Sequence, residues 1–309
     1  MTRLKPLIGL LLILSTLLIG LEFCKRKEAE SAPLRVGAYY FPWYAGPGPN
    51  GNWNKTNLRT RLTPPQMPVL GEYKSQDEAV IKQHIAWAQE AGINFFAMDW
   101  WGPNTLTDGT IRDNFAPYLV KTKSDFKFCI FYHTPGLLRS RVNRIGGLEI
   151  PLIPEAQEKL LDHFLYLART YFSHPNYLKV NNRPVVVMYA TRAMTEKVSE
   201  TIQRLRTIVK SQTQQEIFII GDEIYWEDPK PERIKTLDAM TVYNISGPAR
   251  YHGPAGETGF FKDLETTFKK YQEVATQQGV KLVPNVMPGF NDRGVKPEKG
   301  HYIIPREVI

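Results

Sequence analysis

Apolar segments that are typical of β-strands alternate with helical segments along most of this 309-residue chain. This alternation predicts a parallel sheet, because parallel neighbours are joined by crossover helices. About seven strand–helix units favour an α/β fold of the (β/α)8 TIM-barrel type over an open Rossmann sheet. No Gly-x-Gly-x-x-Gly follows the first strand, which also weighs against a dinucleotide-binding fold. The predicted strands are Arg35–Phe41, Ile93–Met98, Phe126–Tyr132, Pro184–Met188, Ile217–Ile220, Ala239–Val242 and Leu282–Met287.

The carboxyl ends of these strands are rich in aromatic and polar side chains. In a barrel these ends meet on one face, where active sites lie. Aromatic rings stack on the C–H faces of sugars, and phenol and indole groups add hydrogen bonds. Each residue alone also fits a core, turn or capping role, but the recurrence at seven ends favours a carbohydrate site. The predicted substrate-binding residues are Tyr39, Tyr40, Trp43, Tyr44, Trp53, Asp99, Trp100, Trp101, Tyr132, His133, Tyr189, Tyr225, Tyr243, Asn244, Asn291, Asp292 and Arg293.

Two consecutive carboxylates, Asp222 and Glu223, end the fifth predicted strand and are the predicted catalytic residues. Adjacent residues of a strand point to opposite faces, so only one of them enters a site easily. A carboxyl beside Trp or Tyr can have a raised pKa and act as a general acid, and a salt-bridged or capping pair is the alternative. Asp99 is a second candidate, with capping as its alternative. We expect one cleft to be lined by Tyr40, Trp43, Trp100, Glu223, Tyr243 and Asn291.

The N-terminal 32 residues are predicted to be an export leader or membrane anchor with a tether, and residues 33–309 to be the barrel domain. Two basic residues precede the apolar run Leu7–Leu21. Cys24, followed by a charged linker, resembles a bacterial lipoprotein junction and is a lipid-anchor candidate, although Phe23 is large where that junction has a small residue. A signal anchor and plain secretion are the other two interpretations. We therefore expect an exported protein, anchored to a membrane and facing the periplasm or cell exterior, or else secreted.

The formal net charge of +8 does not indicate a nucleic-acid partner. Lys and Arg are spread among Glu and Asp without a long basic run or a known binding motif. Cys129 lies in an apolar run and is predicted to be a buried core residue, so no disulfide framework is implied. The six histidines show no zinc-ligand spacing, and His84 and His163 are predicted to be structural. We expect neither a metal nor another cofactor.

Four sequence motifs occur in a fixed order: Ala38–Tyr44, Asp99–Trp101, His174–Tyr177 with Arg183–Val186, and Pro284–Arg293. Together they resemble the glycoside hydrolase family 99-like proteins, which include endo-α-1,2-mannosidases and endo-α-1,2-mannanases. The resemblance covers Arg35 to Arg306 and implies a (β/α)8 barrel that cleaves internal α-mannosidic bonds of a glycan with retention. It also implies a carboxylate that assists the 2-hydroxyl of the substrate and an acid that protonates the leaving oxygen, without a metal. That mechanism differs from the usual two-carboxylate displacement.

This sequence departs from the family pattern at the catalytic carboxylates. In the family they lie in an Asn-Glu-Trp-x-x-Glu motif on the eighth strand, and no Asn-Glu-Trp occurs here. The third strand ends in His133-Thr134, where relatives have a carboxylate. The final residues Ile304–Ile309 are typical of a lead into the last helix and strand, so we expect a barrel that lacks its last unit and is marginally stable.

Two main hypotheses follow from this departure. The chain is either a shortened glycosidase of the family 99 type or a non-catalytic carbohydrate-binding relative at the cell surface. A surface-anchored structural lipoprotein is a weaker third interpretation. We expect poor or absent hydrolysis of α-mannosides, with sugar binding better preserved because the stacking aromatics come from earlier strands.

Overall fold

The structure is a computed structural model. It describes residues 34–48, 51, 53, 66–138, 149–244, 254–287, 289–291 and 303–304. Contacts divide the chain into two units, Met1–Arg35 and Val36–Ile309. In the first unit only Leu34 and Arg35 are described, so the predicted leader, Cys24 and the tether lie outside the described residues. Within the described ranges, none of the helices combines the length and the apolar character needed to cross a bilayer.

One parallel sheet in the second unit contains seven of the described strands, and neighbours in sequence are also neighbours in space. Each pair along this path is parallel. A doubly wound sheet reverses its strand order at a switch point, and this sheet does not. The strands are β1 (Gly37–Tyr40), β2 (Phe95–Trp100), β3 (Lys127–Tyr132), β4 (Arg183–Met188), β5 (Phe218–Asp222), β6 (Ala239–Thr241) and β7 (Lys281–Leu282).

The sheet curls strongly, as contacts between β1 and β6 demonstrate. Tyr39 lies on β1 and Tyr243 lies two residues after β6, and their ring centroids are 5.0 Å apart. In a flat sheet, five strand-to-strand steps would separate these strands by about 24 Å. Consecutive strand order and curling together confirm the predicted α/β fold of the TIM type.

Helices occupy the connections between the strands. A π-helical segment, Thr110–Phe115, joins the helices Leu106–Gly109 and Ala116–Lys121, and a 3-10 turn, Thr191–Ala193, follows β4. Two-residue ladders pair Ile150–Pro151 with Met194–Thr195, Lys179–Val180 with β4, and Phe290–Asn291 with Ile303–Ile304. The helices are α1 (Glu78–Glu90), α2 (Leu106–Gly109), α3 (Ala116–Lys121), α4 (Thr134–Leu138), α5 (Pro154–Thr170), α6 (Val198–Thr213), α7 (Pro231–Ile234) and α8 (Pro254–Gln278).

Several local features follow directly from residue type. Pro154 begins α5, because the N–H that proline lacks would have no partner in the first turn. Gly92, at φ +73°, follows α1 and helps to end the helix, since this left-handed conformation suits glycine. Strands β2, β3 and β4 are buried along nearly their whole length, as expected for strands covered on both faces. Cys129 is buried and free, as predicted.

Two local predictions were wrong. The spacing Ser75-x-x-Glu78 predicts a capping box, which does not form because α1 begins at Glu78 with Asp77 as its N-cap. The Ser75 hydroxyl instead accepts a hydrogen bond from the backbone N–H of Tyr44 at 3.1 Å, and so anchors the loop after β1. The seventh strand is also shorter than predicted and spans only Lys281–Leu282. The residues that follow Leu282 were predicted to continue the strand, but none of the described strands pairs with them in a ladder.

Candidate functional site

Four aromatic side chains pack together inside the curled sheet near the carboxyl ends of its strands. We call Tyr39, Phe131, Tyr189 and Tyr243 the aromatic cluster. Phe131 and Tyr243 are nearly parallel, with centroids 5.3 Å apart, and Tyr243 meets Tyr39 at 5.0 Å and Tyr189 at 4.8 Å. Burial raises the pKa of each of the three tyrosines above its ordinary value, which favours neutral phenols. The cluster forms an apolar floor that carries phenol groups.

Asp222 joins two of the strand-end loops beside this cluster. Its Oδ1 accepts the backbone N–H of Tyr243 at 2.9 Å, and its Oδ2 accepts the backbone N–H of Ala190 at 2.9 Å. Oδ2 also pairs with Arg192 Nη1 at 2.6 Å. Burial raises the pKa of this carboxyl, although Arg192 and the two N–H groups act against that rise. With both oxygens engaged, Asp222 is arranged to position Tyr189 and Tyr243 rather than to exchange protons.

The loop after β4 contains local strain at this junction. Ala190 has φ +53°, in the left-handed region that costs an alanine about 1–2 kcal/mol. Its N–H is the one that Asp222 accepts. The carboxylate therefore helps to hold a conformation that the sequence alone does not favour.

Asp99, on β2, lies on the inner side of the sheet with its carboxyl fully buried. Its Oδ2 accepts a hydrogen bond from Trp101 Nε1 at 2.5 Å. Its Oδ1 is buried and has no hydrogen-bond partner among the described residues. Burial raises the pKa of Asp99 to about 7, against the opposing effect of the Trp101 hydrogen bond. The carboxyl can therefore be neutral near physiological pH and has one oxygen that no described protein group uses.

Trp101 and His133 form a stacked pair next to Asp99. Their ring centroids are 3.8 Å apart at 25°, and Trp101 is 37% exposed. The backbone N–H of Gly136 donates to His133 Nδ1 at 3.1 Å, so a neutral ring carries its proton on Nε2. Burial lowers the pKa of His133 to about 4. The pair is thus an uncharged, partly exposed aromatic surface of the kind on which sugars stack.

Two further aromatic residues lie near this surface. Trp43 is half-buried, with its ring centroid 6.5 Å from that of Trp101. Tyr225 lies under the guanidinium of Arg192, which is 4.4 Å from the ring centroid. We call Asp99, Trp101, His133 and the aromatic cluster the strand-end site, with Trp43 and Tyr225 at its margin.

Three of the predicted site residues face the helices instead. Tyr40 shares a 2.9 Å hydrogen bond with His84 of α1, and Tyr132 shares one of the same length with His163 of α5. Trp100 donates to Asp108 at 2.8 Å. These positions follow from strand periodicity, because Tyr39 and Asp99 face inward and their neighbours must face outward.

Asp108 is the centre of the network beneath Trp100 and is fully buried. Besides the indole N–H, its carboxylate accepts hydrogen bonds from two tyrosines, one arginine and one backbone N–H. These donors are Tyr166, Tyr171, Arg112 and Asn104. A carboxylate so fully satisfied stabilises the contact between β2, α2 and α5.

Glu223 also lies away from the strand-end site. It is fully buried, and both of its carboxylate oxygens lie 2.9 Å from Arg233 Nε, with Arg233 Nη2 at 2.8 Å. Arg233 belongs to α7, so the pair joins the end of β5 to the helix layer. The prediction of one cleft lined by six residues is therefore wrong for Tyr40, Trp100 and Glu223, which contact helix residues. The other three residues of that prediction are Trp43, Tyr243 and Asn291.

The remaining predicted residues have varied positions. Trp53 stacks on Tyr44 with centroids 3.8 Å apart, and its indole N–H donates to the carbonyl of Tyr73, so both rings belong to the packing of the loop after β1. Asn244 is half-buried directly after Tyr243. Asn291 lies in a two-residue strand whose side chains are not described. Asp292 and Arg293 lie outside the described residues.

Three residues of the site were not predicted from the sequence. Phe131 could have been found from period-two alternation, because it shares a strand face with His133. Gly136 carries only a weak Pro-Gly turn signal, yet a Cβ there would lie 2.6 Å from the Trp101 ring. Arg192 carries no sequence signal, since its role depends on a strained turn and on Asp222. In the described ranges, no group of three or more His, Cys, Asp or Glu side chains is placed to hold a metal ion.

Most of the chain matches one known protein family. The family described as Glycosyltransferase WbsX matches residues 60–291, well over half of the chain. The chain belongs to the Glycosyltransferase WbsX family. The match covers the segments that supply most of the strand-end site, from α1 through β7.

Individual relatives of this WbsX-family chain extend the comparison to mannosidases. A mouse (Mus musculus) glycoprotein endo-alpha-1,2-mannosidase-like protein is 21% identical over 89% of the chain. The rat (Rattus norvegicus) glycoprotein endo-alpha-1,2-mannosidase is 21% identical over 87%. The chain spans 63% and 59% of the lengths of these two relatives. These matches confirm the resemblance to glycoside hydrolase family 99-like proteins.

Solved structures agree on the fold. A glycoside hydrolase-like protein has a TM-score of 0.65 and 21% identity, covering 88% of this chain and 76% of its own. The GH99 endo-alpha-mannosidase from Bacteroides thetaiotaomicron has a TM-score of 0.59 and 19% identity, covering 86% and 75%. At these identities the likeness shows that the WbsX-family chain has the fold of that enzyme.

Proposed function

We propose that this protein acts on glycans that contain α-linked mannose and that the strand-end site binds them. The observation that carries the proposal is the arrangement of Asp99 and the Trp101–His133 pair at the carboxyl ends of β2 and β3. A partly exposed aromatic surface next to a carboxyl with an unused oxygen suits a sugar, which offers C–H faces and hydroxyls together. The names of the mouse and rat relatives support α-1,2-mannosides as the first substrates to test.

The chemistry proposed for this site is the breaking or remaking of an α-mannosidic bond. The relatives are named as mannosidases, whereas the family description names glycosyl transfer. Retaining endo-type cleavage is the form that the family resemblance implies. An assay that contains an acceptor sugar distinguishes hydrolysis from transfer by its products.

Binding without turnover is the second candidate, and a specific observation favours it. Asp222 and Glu223 are each fully engaged by neighbouring groups. Among the described carboxylates, Asp99 is the one with a buried oxygen that lacks a hydrogen-bond partner. In this second candidate the strand-end site binds α-mannosides without turning them over.

Calorimetric titration with α-1,2-mannobiose tests the proposal, with cellobiose as the specificity control. We expect wild-type protein to bind the mannobiose selectively and Trp101→Ala to weaken binding roughly tenfold, the scale of one lost aromatic contact. Glu158→Gln is the matched control, because Glu158 forms an exposed ion pair with Arg204 on the helix surface. Equal affinity of Trp101→Ala and wild type, or no preference for mannobiose, would count against the strand-end site as the binding site.

Product analysis on an α-mannan then separates the two candidates. Release of oligosaccharides by the wild type, with loss of activity in Asp99→Asn, supports a catalytic site. Binding without products supports the non-catalytic alternative.

We also propose that the protein is exported and held at a membrane by its N-terminal segment. The order of basic residues, the apolar run, Cys24 and a charged linker supports this location. Mass spectrometry of membrane fractions is the test. A soluble, unmodified chain that retains Met1 would refute it, and a lipid on Cys24 would distinguish a lipoprotein from a signal anchor.

A further inference from the structure

The carboxyl of Asp99 has two oxygens in different situations. Oδ2 is fixed by the indole N–H of Trp101 at 2.5 Å, and Oδ1 is buried without a hydrogen-bond partner in the described part of the chain. A buried polar atom that remains unpaired is costly, so such an atom in a binding site indicates a missing partner. A glycan oxygen placed on the Trp101–His133 surface would supply one.

The groups around Asp99 favour its neutral form. Tyr189 and Tyr243 lie close enough that a negative charge on Asp99 would raise the pKa of both hydroxyls. As phenols, they provide no positive charge that would stabilise the Asp99 carboxylate. His133 is held neutral by burial. Arg192 lies near Tyr189, but its charge is paired with Asp222 at 2.6 Å. Burial accordingly raises the pKa of Asp99 to about 7.

We propose that Asp99 determines specificity as a neutral carboxylic acid, which donates a hydrogen bond from Oδ1 to a glycan oxygen while Oδ2 holds Trp101 in its stacking position. This inference rests on the proposed function and adds the residue that recognises the sugar and its protonation state. The same carboxyl therefore orients the aromatic surface through Oδ2 and hydrogen-bonds the ligand through Oδ1. A bound glycan would also exclude water and disfavour the charged form further.

Ligand affinity should depend on pH. If only the protonated form binds, the apparent affinity falls with the fraction of protein in that form. Above the pKa this fraction drops roughly tenfold per pH unit. The affinity for α-1,2-mannobiose should therefore fall about thirtyfold between about pH 6 and about pH 8.5.

Two substitutions at the same position provide the decisive comparison. In Asp99→Asn the amide oxygen can still accept from Trp101, and the amide nitrogen donates where the neutral acid would. We expect this variant to bind α-1,2-mannobiose about as well as wild type at about pH 6 and to lose the pH dependence. Asp99→Leu keeps a similar volume without either polar atom and should weaken binding at every pH. Glu158→Gln, on the exposed face of α5, should behave as wild type throughout.

Three results would overturn the inference. These are an affinity that rises with pH, an affinity that does not change with pH in the wild type, and unchanged binding by Asp99→Leu. An acceptor role for the ionised carboxylate would give the first result together with a loss of binding in Asp99→Asn. His133, with a pKa of about 4, titrates outside the tested range and does not confound it.

A measurement without ligand separates this inference from the proposed function. Trp101 fluorescence should change with a midpoint near pH 7 in the wild type, and the change should be absent in Asp99→Asn and Trp101→Phe. A missing midpoint refutes the protonation of Asp99 even if the sugar binds. A normal midpoint without any binding of α-1,2-mannobiose refutes the proposed function and, with it, the role of Asp99 in recognition.

Discussion

Asp222 and Glu223 are consecutive residues, and their carboxylates lie on opposite sides of the end of β5. Asp222 accepts the backbone N–H groups of Ala190 and Tyr243, which belong to strand-end loops. Glu223 pairs with Arg233 in the helix layer. Strand alternation predicts that such neighbours diverge, and here it separates a residue that positions the site from one that stabilises the fold.

We expect Glu223→Gln to lower stability on the order of 3 kcal/mol without changing the affinity for α-1,2-mannobiose. The substitution leaves the Arg233 charge buried without its partner, which is the expensive way to break a buried ion pair. Chemical denaturation and calorimetric titration of the same preparation measure the two effects. Removal of both charges in Glu223→Leu with Arg233→Met should recover much of the stability. A normal unfolding curve with abolished turnover would instead make Glu223 the catalytic residue.

We expect Asp222→Ala to destabilise the protein and to disorder the loop that carries Tyr189. Hydrogen bonds to a charged group are worth about 1.5–3 kcal/mol each, and Asp222 accepts three. Ala190→Gly should rescue part of the loss, because glycine adopts the positive φ of Ala190 without strain. The rescue should be larger in the Asp222→Ala background than in the wild type. Equal effects in both backgrounds, measured by thermal unfolding, would show that the carboxylate does not hold this turn.

We expect Gly136→Ala to weaken ligand binding roughly tenfold with little change in overall stability. The added Cβ would lie 2.6 Å from the Trp101 ring and 2.8 Å from His133 Nδ1, so the stacked pair must move. Gly109→Ala is the matched control, because a Cβ there has its nearest atom at 3.7 Å. Titration with α-1,2-mannobiose and near-ultraviolet circular dichroism report affinity and aromatic packing. Identical behaviour of the two variants would contradict a binding role for the pair.

We expect the contribution of Asp99 to stability to decrease as the pH rises from about 4 to about 7. Its folded pKa of about 7 exceeds that of an unfolded aspartate, so the folded state holds the extra proton in this range and unfolding becomes easier as the pH rises. The full loss is on the order of 4 kcal/mol above pH 7. The contribution of His133 to stability changes in the opposite direction. It increases as the pH rises from about 4 to about 6.5, because the folded pKa of His133 is lowered.

Comparison with Asp99→Asn isolates this contribution from the histidines. Denaturant titrations at about pH 5 and about pH 8 give the unfolding free energy of each protein. The variant should gain stability relative to wild type at the higher pH. A difference that stays constant across the range would show that Asp99 titrates normally.

The sequence by itself determined the fold class and the order of the strands. Alternating apolar segments and amphipathic helices specify a parallel sheet, because each pattern buries its apolar side chains in only one kind of element. It also predicted that Asp99, Trp101, His133, Tyr189 and Tyr243 share one end of the sheet, since the carboxyl ends of parallel strands converge on one face wherever the barrel closes. These predictions depend on local periodicity and on topology, which the chain encodes directly.

Only the tertiary structure decided which way each strand-end side chain faces and what it contacts. Tyr40, Trp100 and Glu223 differ from the inward-facing residues by a single position, and one residue of shift moves a side chain to the other face of the sheet. The role of Arg192 depends on a partner 30 residues away, and that of Gly136 on the Trp101 ring, which would lie 2.6 Å from a Cβ at this position. Such roles arise from the packing of segments that are distant in sequence, and no local pattern encodes that packing.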